Sequence, residues 1–142
     1  MSYRNLYIQE LNNCLLENVA PDCSMKEAFD LTSTDISCYI SQLIIGDYAA
    51  FTAVYSAPKV LNAFATAYAK FDVTDDIRDE IIGDFLNLIN GKFAVALSNS
   101  RSVECTLSVP EFTPIDKVKL HESSYVIPVE FSFGIVNFIF SE

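Results

Sequence analysis

The chain has 142 residues, a formal charge of −10 and a hydrophobic fraction of 51%. That length and apolar content suit one domain with a substantial core and exclude a disordered chain. The nine Lys and Arg residues are scattered as singletons, so no basic cluster is available to bind phosphates, and neither nucleic acid nor an anionic membrane is an expected partner.

No apolar run approaches the roughly 18–20 residues needed to cross a bilayer. Met1-Ser2-Tyr3-Arg4 runs into a helical pattern rather than a secretory leader. Cys14, Cys23, Cys38 and Cys105 form no CxxC pair and have no histidines clustered near them. They read as buried thiols of a reducing cytoplasm, not as zinc ligands.

In chain order, Tyr3, Leu6, Tyr7, Leu11, Cys14, Leu15 and Val19 recur at three- and four-residue intervals and predict an amphipathic helix that Pro21 ends. Met25 to Leu31 offers a short strand. Asp35 to Ile45 and Tyr48 to Tyr55 predict two strands meeting at Gly46-Asp47, a hairpin signal. Ser56-Ala57-Pro58 starts a helix that runs to about Phe71, with proline near the first position, where its missing N–H costs nothing. Thr74-Asp75-Asp76 starts a longer helix, to about Asn99, with acceptors and negative charge where a helix N-terminus favours them. Val103 to Val109, Val118 to His121, Tyr125 to Phe133 and Ile135 to Phe140 predict strands, the last two turning at Phe133-Gly134.

The predicted fold class is α+β: a single domain over residues 1–142, with an antiparallel sheet packed against long helices. The order helix, strand, hairpin occurs twice, before Pro58 and after Thr74. That is the pattern of two pseudo-symmetric α-β-β-β halves, although identity between them is slight.

The helix after Thr74 carries the functional argument. Wound at about 100° per residue, Ile77, Ile81, Ile82, Phe85, Leu86, Leu88, Ile89, Phe93 and Val95 cover more than half of its circumference. The remaining arc, about 120° wide by the same arithmetic, holds Glu80, Gly83, Asp84, Asn87, Asn90, Gly91 and Ala94. Each Gly inside a helix costs about 1 kcal/mol relative to Ala, so bare backbone at Gly83 and Gly91 has a use. Either another element of this domain packs closely there, or a partner approaches and Asp84 and Asn87 reach toward it.

The run Gly83-Asp84-Phe85-Leu86-Asn87-Leu88-Ile89-Asn90-Gly91 resembles the signature helix of the CheC/CheX/FliY chemotaxis phosphatases, in their CheX-like branch. That signature is an acid, usually Glu, then two residues, Asn, three residues and Gly, often with Gly before the acid. The resemblance implies a phosphatase of a phosphorylated CheY-like receiver domain, acting on its aspartyl phosphate. Asn87 would orient the attacking water and Asp84 would meet the receiver's lysine. Glu80, Gly83, Asn90 and Gly91 would lie at the partner interface. It further implies no cofactor of the chain's own, Mg²⁺ on the receiver, and a homodimer.

The acid here is Asp84, one methylene shorter than the usual Glu, which leaves a second reading: a non-catalytic CheX-like module that docks a signalling or motor partner. A purely structural α+β domain would instead bury Asp84 and Asn87. The first helix repeats the acid-x-x-Asn spacing at Glu10 and Asn13, but Gln9 and Glu17 stand where the pattern has glycine, so this reads as a solvated face. His121, beside Glu122, Ser123 and Ser124, reads as a strand-end or loop histidine rather than part of a catalytic dyad. Alternation of Phe131, Phe133, Phe138 and Phe140 predicts one packed sheet face, or a dimer surface if exposed.

Overall fold

The computed structural model describes residues 2–31, 38–114 and 124–142. Helices form where the apolar spacing and end signals put them: α1 (Tyr3–Asn18), α2 (Pro58–Ala69) and α3 (Asp75–Arg101). Ser2 caps α1, its hydroxyl accepting from the Asn5 amide at 3.1 Å. Pro58 opens α2, and Asp75 and Asp76 sit in the first turn of α3.

The strands are β1 (Ser24–Met25), β2 (Phe29–Asp30), β3 (Cys38–Gly46), β4 (Ala50–Tyr55), β5 (Cys105–Leu107), β6 (Glu111–Pro114), β7 (Ser124–Phe131) and β8 (Gly134–Ser141). Among the described residues they make one antiparallel sheet of eight strands in the order β1-β7-β8-β4-β3-β5, with β2 also on β7 and β6 also on β3. The strand predicted at Val118 to His121 lies outside the described residues, as do Glu122, Ser123 and the first residues of the strand predicted from Asp35.

Two halves of the same order, α1-β1-β2-β3-β4 and α3-β5-β6-β7-β8, flank α2. They meet where β4 pairs with β8, Ala53 opposite Ile139. Each half gives its short strands to the other: β1 and β2 pair with β7, and β5 and β6 pair with β3. Both edges carry the same irregularity. Met25 opposes Val129 and Phe29 opposes Val126, so the edge takes one more residue than its neighbour; Leu107 opposite Ile44 and Glu111 opposite Ser41 repeat the step. Residues 26–28 and 108–110 are thus symmetric bulges, the usual device for bending an edge and ending its pairing.

All three helices cover one sheet face, as their rings show. Tyr7 of α1 stacks on Phe140 at 4.6 Å, and Phe64 of α2 meets Phe138 at 6.1 Å. Phe85 and Phe93 of α3 lie against Phe138 and Phe140. Phe131, Phe138 and Phe140 are buried, the packed-face outcome of the predicted alternation, while Phe133, in the turn, is half-buried. On the opposite face Ala53, Val126 and Ile139 form a small buried cluster with Leu31, Phe51 and Tyr55.

Gly46 ends β3 at φ +144°, where a Cβ would lie 2.5 Å from the Glu104 carbonyl oxygen, so only glycine fits. By length and composition α3 would span a bilayer, yet Ile82, Phe85, Leu86, Ile89, Phe93 and Leu97 are buried in this core. Phe85 touches Phe64, Tyr68 and Phe138. Denaturant unfolding should show Phe85→Ala losing about 3–5 kcal/mol of stability; a loss below about 1 kcal/mol would contradict this packing.

Candidate functional site

The second bulge brings the sheet edge onto α3. Pro110 lies over Gly83, and a Cβ on that glycine would stand 3.1 Å from Pro110 Cβ. Both residues line a cleft of about 320 Å³ between α3 and β6. Glu80, Asp84 and Asn87 line it from the helix, and Pro110, Glu111 and Phe112 from the edge.

Four carboxylates face this cleft: Asp79, Glu80, Asp84 and Glu111. The neighbouring cation, Arg78, is engaged with Asp79 at 3.2 Å and Asp75 at 3.9 Å. The field therefore repels a bare phosphate and attracts a positive group. No cluster of metal-binding side chains occurs among the described residues.

Asp84 is exposed, and the Tyr68 hydroxyl of α2 donates to its Oδ2 at 2.8 Å. Burial raises the Tyr68 pKa above its ordinary value, and the hydrogen bond and charge of Asp84 push it the same way. Tyr68 accordingly remains a donor throughout the physiological range. The other Asp84 oxygen has no partner among the described residues.

Asn87 is exposed as well, but its carboxamide is held from behind. Gln42 of β3, 1% exposed, donates through Nε2 to Asn87 Oδ1 and to the Ser108 carbonyl at 2.8 Å. Fully buried Asn90 donates through Nδ2 to Gln42 Oε1 at 2.7 Å and to Thr52 Oγ1 at 2.8 Å. The Thr52 hydroxyl in turn donates to the Gln42 carbonyl at 3.0 Å. Asn90 Oδ1 has no partner among the described residues.

Beyond Asn87 the helix face mixes apolar Leu88, Val95 and Ala96 with Lys92 and Asn99. Gly91 has open space where a Cβ would be, and with Leu88, Val95 and Glu10 of α1 it borders a wider groove of about 730 Å³ that shares Asn87 with the cleft. The predicted residues therefore divide. Asp84, Asn87, Glu80 and Gly91 lie together on the accessible face. Gly83 lines the same cleft but is buried against the chain's own Pro110, while Asn90 is sealed beneath the helix by hydrogen bonds to the sheet.

The predicted echo on α1 is not a matching site. The groove beside residues 26–28 is lined from α1 by Asn5, Ile8, Gln9 and Asn12, without Glu10 or Asn13. Among the described cysteines, Cys14 is a free buried thiol whose pKa burial pushes up to about 11, while free Cys23 and Cys105 are half-buried. Gln42, Tyr68 and Pro110 were not anticipated. The available signal was Gln42 itself, an amide between Ile40 and Ile44 where alternation calls for an inward apolar residue.

No family model and no curated protein matches the sequence. Solved structures match over nearly its whole length. A chemotaxis protein CheX from Desulfovibrio desulfuricans is 17% identical, with 99% of this chain and 98% of that one covered at a TM-score of 0.78. CheX from Borrelia burgdorferi, solved in a CheX–CheY–BeF3–Mg²⁺ complex, is 12% identical, with 99% and 97% covered at 0.78. A CheC-like superfamily protein from Shewanella sp. PV-4 is 12% identical, with 99% and 98% covered at 0.76. The chain has the CheX-like fold.

The two helix glycines should part company on substitution. Gly91→Ala meets nothing, so it should gain about 1 kcal/mol of helix propensity, raising Tm by roughly 2–4 °C. Gly83→Ala must displace Pro110 and should fall short of that gain. Equal thermal melts of the two variants would contradict the Pro110 contact.

Proposed function

We propose that the protein is a phosphatase that hydrolyses the aspartyl phosphate of a CheY-like receiver domain, in bacterial chemotaxis or another two-component pathway. The observation that carries this reading is the exposed pair Asp84 and Asn87, three residues apart on α3, with the Asn87 carboxamide held by buried Gln42. The fold adds support, since a CheX of the same fold is known in complex with CheY, BeF3 and Mg²⁺.

Under this reading the receiver brings the phosphate, Mg²⁺ and its own lysine, and this chain contributes no cofactor. The lysine enters the acidic cleft and meets the Asp84 oxygen that Tyr68 does not engage, with Glu80 one turn earlier adding attraction. Asn87 then orients a water in line with the phosphorus. The water oxygen–phosphorus bond forms as the aspartyl oxygen–phosphorus bond breaks; the aspartate departs as carboxylate and the water proton passes to the phosphate. Such chemistry depends chiefly on positioning and charge neutralisation. A carboxamide suits it because it both donates and accepts. The carboxylates around the cleft disfavour free phosphate, so the phosphoryl group is recognised only when it arrives with the receiver's cations. A cytoplasmic setting and a homodimer belong to the same reading.

A second reading rests on Asp84, which is short of the usual Glu by a methylene and is also tethered to Tyr68: a non-catalytic module docking its partner through this face. Decay of a phosphorylated receiver separates the two. Wild type should accelerate decay, Asn87→Ala should lose roughly 100-fold of that acceleration while still docking, and Asp84→Lys should abolish docking. If Asn87→Ala and wild type accelerate decay alike, the catalytic assignment is wrong. Docking without any acceleration supports the module instead.

A further inference from the structure

One end of the exposed Asn87 side chain is not free to turn, and the reason lies in the sheet. The Ser108 carbonyl only accepts, so the Gln42 atom 2.8 Å from it is the Nε2 amide. Gln42 Oε1 is then the acceptor for Asn90 Nδ2. The second hydrogen of Asn90 Nδ2 goes to Thr52 Oγ1, whose own hydrogen goes to the Gln42 carbonyl. The remaining Gln42 hydrogen goes to Asn87 Oδ1. Two backbone carbonyls therefore set the sense of every amide in the chain. Gln42, Asn90 and Thr52 are at most 1% exposed, so water does not compete for the bonds among these three, which hold Gln42 from behind. A flipped Asn87 would set its NH₂ against the NH₂ of Gln42, donor against donor.

We infer that Gln42 is a positioning residue for hydrolysis, holding Asn87 with its Nδ2 hydrogens and one Oδ1 lone pair available to the attacking water. The inference rests on the phosphatase reading and adds to it a residue 45 positions away in sequence. Asn90 and Thr52 hold Gln42 in turn.

The test uses the intact protein with a phosphorylated receiver and two variants. In Gln42→Met the donor is lost without adding charge; kcat should fall about 10-fold or more, with KM for the receiver held within about 2-fold. Gln42→Glu places a carboxylate where the donor was. Burial raises the pKa of that carboxyl, as do Asp79, Glu80 and Asp84 on α3, Glu111 on β6 and Glu10 across the adjoining groove, with Lys92 opposing. Its kcat should therefore be low at neutral pH and should recover relative to wild type as the pH falls and the carboxyl regains a proton to donate. Gln42→Met should show no such recovery.

Thermal melts establish that both variants are folded. A folded Gln42→Met with unchanged kcat overturns the inference, and so does a Gln42→Glu whose ratio to wild type is flat with pH. Asn87→Ala is the control that separates the two levels. If it loses turnover while Gln42→Met keeps it, only the positioning role fails. If Asn87→Ala turns over like wild type, the phosphatase reading itself has failed.

Discussion

Asn90 is fully buried, and a carboxamide cut off from water must find its hydrogen bonds inside the protein. It finds them on two strands, at Gln42 of β3 and Thr52 of β4. These bonds fix the rotation of α3 about its axis more tightly than apolar packing alone, because apolar contacts tolerate sliding and hydrogen bonds do not. With that rotation set, Asn87 stands against Gln42 and Asp84 faces the cleft. Asn90 Oδ1 has no partner among the described residues. The arrangement orients a polar surface group from a buried polar network.

The duplicated frame supplies the second constraint. Each half lends its bulged strands to the other's hairpin, so each principal helix lies beside an edge that kinks toward it. Beside α3 the kink delivers Ser108 to Gln42 and Pro110 to Gly83. Beside α1 it delivers Lys26 and Glu27, opposite Asn5, Gln9 and Asn12. The cleft beside α3 is thus lined by carboxylates, whereas the groove beside α1 pairs Lys26 with Glu27 among amides.

Much of this was legible in the sequence because local rules governed it. Apolar spacing, Pro58, Thr74 and the Gly46 turn located the helices and the first hairpin, and the repeated element order gave the two halves. The exchange of edge strands was not legible, since short strands such as Ser24–Met25 and Phe29–Asp30 carry almost no periodic signal and their partners lie roughly a hundred residues away. The glycines had two open explanations: at Gly83 the first holds, since Pro110 of this chain packs there, whereas Gly91 faces open space. Asn90 was grouped with the surface because the helical wheel places it in the polar arc. A wheel does not report that the sheet offers polar partners beneath that arc.

The most direct measurement is side-chain amide NMR of the free protein, followed by addition of a receiver activated with beryllofluoride, a stand-in for the aspartyl phosphate. The account predicts slow hydrogen exchange for the NH₂ groups of Gln42 and Asn90, which are buried and bonded, and fast exchange for Asn87. On addition of the receiver, the Asn87 NH₂ should shift and become protected while Asn12 on α1 stays unmoved. Shifts confined to the α1 groove, or an Asn87 NH₂ indifferent to the receiver, would contradict the assignment of this face as the site.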